Sequence, residues 1–477
     1  MFSTKTHFIS FSISLAWGTG VKKRAHALAE TIKSADHIHI VTHIDADGIS
    51  AGAIAVQTLQ RLGKAYSIEC IKQLDELVIK RLMNQEHELV WFTDLGSGIS
   101  TSYPEIPKII TDHHTCPANA DLPFHLNPHL FGFDGSHDIS GAGVTYLVAT
   151  AVDAKNADLS ALAIVGACGD LQDRKEGKLI GLNRDILNEG IQHKVISPQL
   201  DISFFGRETR SLTKLLQYAN DPLLPGLSRR EDACESFLQN LGIRLKHRDD
   251  VRRWIDLSKD EKRVILSGLA QLLLTKGFGY QYASRLISEC YHLCNEEVGT
   301  ELHDAQEFAT LLNSTARYGQ PDVGINVCLG DRGKELVNAK NLLSGHRVNL
   351  VEGLQFAREE EIHKRSYVQF FHAKHGIRDT IVGIVTNMLL NTEDVDAHLP
   401  LIGFAYTEHG DVKASARATQ QLVDNGLNLS DVMKNAASSL GGVGGGHSIA
   451  AGATIPKGKE EEFINRVEQA IKAQLSS

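Results

Sequence analysis

The hydrophobic pattern along the first two hundred residues switches repeatedly between a helical period and a strand period. Residues 22–34 carry apolar and small side chains at helical spacing, and residues 37–42 (HIHIVT) alternate and are β-branched, which predicts a strand. Residues 49–62 are helical again. Residues 89–93 (LVWFT) and 108–111 (KIIT) are short apolar strands, and helices are predicted at 141–153 and 159–169. Strands alternating with helices imply a parallel sheet covered on both faces. From about 205 to 315 strand signals vanish and charged amphipathic helices take over. From about 320 the pattern is mixed, with strand candidates at 323–329 and 401–406. The pattern therefore predicts an α/β chain in three parts. These are a parallel-sheet domain at 21–195, a helical insert at 205–315, and a smaller mixed α/β domain at 320–477.

Composition agrees with that size and adds limits. The 477 residues are 42% hydrophobic, enough for a large core and for two or three domains. No run of about 20 apolar residues exists, so no membrane span is expected. The first 20 residues hold a short apolar run with one lysine. They read as a tail outside the fold in preference to a signal peptide. The seven cysteines, Cys70, Cys116, Cys168, Cys234, Cys290, Cys294 and Cys328, include no C-x-x-C and no zinc spacing. Cys290 and Cys294, one helical turn apart, are expected to pack rather than to ligate, and scattered thiols suit a reducing cytoplasm. The net charge of −9 argues against a non-specific duplex-DNA binder. Residues 243–253 (IRLKHRDDVRR) form a basic stretch, expected to be a solvated helix face.

The chemistry lies where the predicted strands end. The first strand runs into His43, Asp45 and Asp47 (HIDADG), the second into Asp94 (TDLG), and the third into Asp112, His113 and His114. Asp170 follows the apolar run 162–167, with Asp173 close by. Adjacent strands lie about 5 Å apart, so these carboxyl ends converge on one pocket, the usual place for a site in such sheets. A lone D-x-D is usually a solvated turn, and His-His is often surface; the succession of motifs in order is what argues for a site. Five carboxylates there could not all stay ionised unaided, and a bound cation resolves the repulsion. Mixed imidazole and carboxylate ligands point to Mn²⁺ above all, then Mg²⁺, Co²⁺ or Zn²⁺. The ligands outnumber what one ion needs, so two ions roughly 3.5–4 Å apart are expected, the arrangement used for in-line displacement at phosphorus. A calcium loop starting at His43 is excluded, because Ile54 occupies the position that such a loop fills with an acidic residue.

A second constellation stands near the carboxyl terminus. Gly441, Gly442, Val443, Gly444, Gly445, Gly446 and His447 are followed by Ala450, Ala451 and Gly452. Backbone without side chains lets N–H groups approach an anion closely. A flexible linker would be rich in serine and lack the fixed histidine. Upstream, residues 406–419 read as a hairpin turning at 408–411. On its return strand Lys413, Ser415 and Arg417 alternate and so share one face, a credible phosphate cradle.

Taken together, HIDADG, FTDLG, DHH, GACGD and the terminal GGVGGGHSIAAGA resemble the paired DHH and DHHA1 domains, and in order and length the archaeal RecJ-like proteins. The resemblance runs from about residue 21 to 477, strongest at the motifs and vague in the helical middle. It implies an active-site cleft between the DHH and DHHA1 domains and a single-strand exonuclease, DNA and 5′-to-3′ favoured, releasing mononucleotides in replication or repair. Oligoribonucleases, cyclic-dinucleotide phosphodiesterases and inorganic pyrophosphatases share the first domain, and some relatives are replisome scaffolds without nuclease activity. Carried over by motif, His43, Asp45 and Asp94 would hold one Mn²⁺ ion. Asp47, Asp94, His113 and Asp170 would hold the second, with Asp94 bridging. His114 would touch the scissile phosphate. Ser415, Arg417, Gly444, Gly445, Gly446 and His447 would bind substrate phosphate. The helical insert resembles that of members associated with the GINS complex. One departure is Ala316, which stands where related chains place a glycine before the arginine, here Arg317.

Overall fold

The computed structural model describes residues 18–475 except 118, 391, 393, 394 and 409, so the expected tail lies almost wholly outside the described residues. The chain forms two units, divided after Lys340. In the first, five strands are all parallel: β1 (His37–His43), β2 (Ala65–Ile71), β3 (Leu89–Thr93), β4 (Lys108–Thr111) and β5 (His125–Leu126), in spatial order β2-β1-β3-β4-β5. Alternation sends Val41, Val90, Phe92 and Ile110 to one face, where they pack with Ile79 and Leu82 of the helix Glu76–Met83. Helices Ala46–Leu62, Gly141–Val152 and Ser160–Gly169, buried along most of their length, pack against one another. Burial of β3 on every residue explains why it reads as an unbroken apolar run.

The helical region is entered and left through a pair of strands. Ile196–Ile202 and Ile287–Leu293 are antiparallel, with Ile202 opposite Ile287 and Ile196 opposite Leu293. Between them, helices Leu212–Gln217, Glu231–Asn240 and Lys259–Thr275 close a core of Leu215, Leu238, Trp254, Ile265 and Leu269. Ser258 and Glu261 form a capping box that starts the longest of these helices.

Four local expectations are corrected. Strand signals do not vanish in this region, because 287–293 pairs with 196–202. Cys290 and Cys294 consequently lie along extended chain rather than on a helical turn; Cys290 is buried and Cys294 exposed. Residues 243–253 are a hairpin, not a helix face: Lys246 and His247 pair with Val251 and Asp250, and Asp249 sits in the turn. The hairpin lines a cavity of about 960 Å³, yet Arg252 is bound at 2.8 and 2.9 Å by Glu261, so the basic stretch is partly neutralised. Finally, 323–329 is helical (Pro321–Cys328). Pro321 at the first turn suits a helix start. Gly324 lets that helix come within van der Waals range of Thr315 and Ile49.

The second unit holds a six-stranded mixed sheet. Its spatial order is His363–Lys364, Gln369–His372, Leu401–Tyr406, Val412–Arg417, Ala450–Ile455 and Val443–Gly446. Ile402, Phe404, Val412, Ala414 and Ala416 face a core closed by helices Leu429–Ser438 and Glu460–Leu475. Leu401 and Ala405 face the helix Val382–Leu390 on the other side.

Candidate metal centre

Strand register assembles the first site. Thr42 stands opposite Thr93, and Thr93 opposite Thr111, so one row of threonines ends three neighbouring strands. Whatever follows those threonines emerges at one edge: His43, Asp94, and Asp112 with His113. Asp45 caps the helix Ala46–Leu62, accepting from Gly48 N at 3.0 Å. Asp47, in the first turn, is buried and accepts from Gly141 N at 2.6 Å and Ala142 N at 3.0 Å. It therefore sits on the positive end of the helix Gly141–Val152. Asp170 arrives from the end of the helix Ser160–Gly169.

These side chains meet. His43 Nδ1 lies 3.1 Å from Asp45 Oδ2 and 3.4 Å from Asp94 Oδ2. His113 Nε2 lies 3.3 Å from Asp94 Oδ1, 3.3 Å from Asp170 Oδ2 and 3.7 Å from Asp47 Oδ2. Three groups of possible ligand atoms result, each within 4.8 Å: His43, Asp45 and Asp94; Asp94, His113 and His114; Asp47, His113 and Asp170. Asp94 belongs to two of them, one oxygen toward each histidine.

The residues fit a cation on a further observation. His43 Nδ1, Asp94 Oδ1 and His113 Nε2 are buried and have no hydrogen-bond partner. Orphaned polar atoms of that kind are costly, and ligands on one ion stand about 3 Å apart, given bonds of about 2.1 Å. Support from behind is already in place. His113 Nδ1 donates to Gly135 O at 2.7 Å, which aims Nε2 at the carboxylates. Two glycines make room: a Cβ on Gly141 would stand 2.2 Å from Asp94 Oδ1, and one on Gly166 would stand 2.3 Å from Asp47 Oδ1. Asp94 itself has φ of 58°, an unusual conformation for a residue other than glycine.

Four carboxylates, not the five counted along the sequence, converge here. Asp112 is held elsewhere, Oδ2 accepting from Ser97 N at 2.8 Å and Oδ1 from His114 Nδ1 at 2.8 Å. It orients His114, whose side chain is 55% exposed and so open to a ligand. Asp173 is buried and accepts from Gln306 Nε2. Two contributors come from the helix Ala305–Arg317, four residues apart on one face. Asn313 Oδ1 accepts from Ala46 N at 3.0 Å, and Arg317 interacts with Asp45, which counters the lowering of its pKa by burial. Sequence reasoning missed Asn313, whose one signal is the Leu-Leu-Asn-Ser-Thr-Ala-Arg run. Ala316 is buried inside that helix, which continues through the place of the missing glycine.

Without a cation the cluster balances its charge with protons. Burial pushes the Asp170 carboxyl up to about 7, against the pull of His113, with Asp45 and Asp94 adding to it. Burial, Asp94 and Asp170 likewise raise Asp47 well above the usual range. His43 and His113 are raised despite burial, by Asp45 and Asp94 in one case and by Asp94, Asp170 and Asp47 in the other. A carboxyl raised on folding destabilises as it ionises, so the metal-free chain should lose stability as pH rises from about 4 through 7. The two histidines act with the same sign, their stabilisation being present below about 6.5 and lost as pH rises through their folded values. A cation competes with those protons, so Mn²⁺ should stabilise more at high pH than at low. Thermal melts across about pH 5 to 8, in chelator and in Mn²⁺, should therefore diverge as pH rises; parallel curves would count against a cation at this cluster.

The glycine-rich segment of the second unit is not a loop. Val443–Gly446 is an edge strand, with Gly445 opposite Gly452. Its glycines serve a close approach: a Cβ on Gly444 would stand 2.6 Å from Met433 O on the helix Leu429–Ser438. Beyond Gly446, His447 N donates to Ala450 O at 2.8 Å in a tight turn. On the neighbouring strand Lys413, Ser415 and Arg417 share the face turned away from Val412, Ala414 and Ala416. Ser415 and Arg417 both reach Gly383 on the helix Val382–Leu390, where a Cβ would stand 3.2 Å from Ser415 Oγ and 2.7 Å from Arg417 Nη2.

A doubly covered parallel sheet with histidines and aspartates at its carboxyl edge, joined to a helical insert and a second α/β unit, is the DHH phosphoesterase fold. Residues 204–287 match the DHH-CID domain, and residues 366–473 match the DHHA1 domain. Over 471 residues the chain is 32% identical to the uncharacterized protein MJ0831 of Methanocaldococcus jannaschii, covering 95% of this chain and 98% of that protein. It belongs to the DHH/DHHA1 family of RecJ-like proteins. Among solved structures, RecJ from Thermus thermophilus in complex with Mn²⁺ is 18% identical, with a TM-score of 0.57 over 95% of this chain; the chain spans 55% of that one. An exonuclease RecJ bound to manganese gives 17% and 0.55 over 96% of both chains. CDC45 from Entamoeba histolytica gives 13% and 0.65 over 95% of this chain and 99% of that one. Among the described residues no helix is long and apolar enough to cross a membrane.

Proposed function

We propose that this protein is a metal-dependent exonuclease that hydrolyses single-stranded nucleic acid, DNA in preference to RNA and 5′-to-3′, to mononucleotides in DNA replication or repair. The observation that carries the reading is the set of orphaned atoms on His43, Asp94 and His113, amid three further carboxylates. That donor set fits Mn²⁺, with Mg²⁺ or Co²⁺ as alternatives. Two such ions would supply Lewis acidity and a nucleophilic water at neutral pH.

The chain's own residues do the rest. Asp94 offers one oxygen to each group of ligands, which fixes the two groups relative to one another. Asp47, clamped by two N–H groups of one helix, cannot swing away. His114, its Nδ1 fixed by Asp112, presents Nε2 to a phosphate oxygen whose negative charge grows during attack. The roles of Ser415, Arg417, Gly444, Gly445, Gly446 and His447 in gripping phosphate, and a cleft between the two domains, belong to the same proposal, as does the GINS complex as a partner of the helical insert.

End-labelled single-stranded DNA and RNA, each labelled at either end and incubated with Mn²⁺, provide the test. Mononucleotides released from the 5′ end of DNA, abolished by chelator, are expected. Cleavage confined to oligomers of a few nucleotides would favour the oligoribonuclease or cyclic-dinucleotide alternative. No release with any divalent ion would favour a CDC45-like scaffold, the reading that the similarity to CDC45 supports. Arg417→Ala and His447→Ala should weaken binding of a non-cleavable single strand and flatten its log–log salt dependence by roughly 0.7 per lost phosphate contact. Mn²⁺ affinity, followed by isothermal titration, should stay unchanged in both. Unaltered oligomer affinity would show that this face of the second unit is scaffold only.

A further inference from the structure

Outside the cluster already described, one other group of metal-ligating side chains stands together among the described residues of the first unit. Glu208 lies in the loop between Ile196–Ile202 and Leu212–Gln217. His292 lies on the strand Ile287–Leu293, and His303 lies in the loop that leads into the helix Ala305–Arg317. One ligand atom from each falls within 4.8 Å of the others. We propose that Glu208, His292 and His303 form a separate, structural cation site that takes one borderline divalent ion of the Zn²⁺ type.

Several features go beyond proximity. The two imidazole rings are stacked, with centroids 4.9 Å apart and planes 13° from parallel. Two imidazolium rings would repel at that distance, so at least one ring is neutral, and a neutral ring has a lone pair to give. Burial drives His292 below the usual histidine value, against Asp304, and His303 and Arg207 push it the same way as burial. Glu208 is fully buried, and Oε2 accepts from Gly299 N at 2.6 Å, which fixes the carboxylate as a supporting hydrogen bond does in metal sites. Oε1 already faces His303 Nδ1 at 2.9 Å, so the donor atoms need little movement to share an ion. His292 is held by the strand and by a backbone bridge to Asp304. Asp304 itself pairs with Arg207, so it is not an unpaired competitor for the cation. Two histidines and one carboxylate, with no thiol, suit Zn²⁺ or Co²⁺ better than Ca²⁺ or Mg²⁺, and room for a water would complete four-coordination.

The site would tie together the start of the helical insert, the strand by which the insert returns, and the foot of the helix that delivers Asn313 and Arg317 to the first cluster. It is independent of the nuclease reading, because none of its ligands belongs to the first cluster.

Zn²⁺ titrated into the full-length chain carrying Asp94→Asn and His113→Ala, which disables the first cluster, tests the proposal. One saturable equivalent of Zn²⁺ and a raised thermal midpoint are expected. Adding His303→Ala or Glu208→Gln should lower the apparent affinity by at least about 100-fold, since loss of a supporting residue alone costs 10–100-fold. Co²⁺ should give visible d–d absorption that the same variants lose. Glu208→Gln also touches Gly299, so circular dichroism is recorded first; His303, partly exposed in a loop, supplies the answer should Glu208→Gln fail to fold. No saturable equivalent in the Asp94→Asn, His113→Ala chain overturns the site. So does an equivalent that survives His303→Ala. In otherwise wild-type protein, His303→Ala should keep its Mn²⁺-dependent turnover, so loss of the nuclease reading would leave this result standing.

Discussion

Asp94→Asn should abolish Mn²⁺-dependent turnover while leaving the metal-free protein at least as stable as the wild type. Asp94 is the residue common to two ligand groups, and each of its oxygens faces a different histidine. Removing its charge removes a ligand from both ions at once. About 4 kcal/mol of transition-state stabilisation would go with it, a loss of at least about 10³-fold in rate. Stability should not follow, for two reasons. Asparagine tolerates the φ of 58° at this position. The substitution also relieves Asp47, one of whose largest raising influences after burial is Asp94. Single-turnover cleavage and thermal melts in chelator measure the two halves. An apo protein that melts much earlier than wild type would make Asp94 a structural residue and overturn its assignment.

Gly141→Ala should cost nearly as much without touching a ligand. The new methyl would begin 2.2 Å from Asp94 Oδ1 and 2.6 Å from its Cβ and Cγ, so carboxylate or helix must move. Gly141 N also holds Asp47, so displacement of the helix start disturbs a second carboxylate. Misplacement by about 1 Å is expected to lower turnover roughly 10²-fold, with overpacking costing about 1–3 kcal/mol of stability. Mn²⁺ affinity should fall in parallel. Gly98→Ala is the control, since nothing lies within 4 Å of a Cβ there. Equal turnover in wild type and Gly141→Ala would mean that the position of Asp94 is not what limits the reaction.

The first sheet was legible because its strands are short, apolar and end in polar residues: 89–93 and 108–111 were delimited to the residue. The gathering of His43, Asp94 and His113 was legible for the same reason, since parallel register makes strand ends neighbours. What escaped depended on partners distant in sequence. The strand 287–293 is fixed by pairing with 196–202, and an alternating ISECYHL could not announce that partner. The helix at 321–328 carries the alternating Val323, Ile325 and Val327 of a strand, and its proline start was the better guide. The glycines at 444–446 signalled close backbone approach correctly, but the neighbour shown is a helix carbonyl. Asp112 looked equivalent to the other aspartates and differs only through its hydrogen bonds to Ser97 and His114.

The antiparallel pair 196–202 and 287–293 has a consequence for how such a chain can change over time. Where the insert departs at Ile202 and returns at Ile287, the two backbones are one strand spacing apart, about 5 Å. Some eighty residues with a hydrophobic centre of their own thus hang from a single doorway, and a tight turn could close it. Lineages can therefore enlarge, trim or re-dress that appendage to suit new company while the catalytic sheet behind it is inherited untouched.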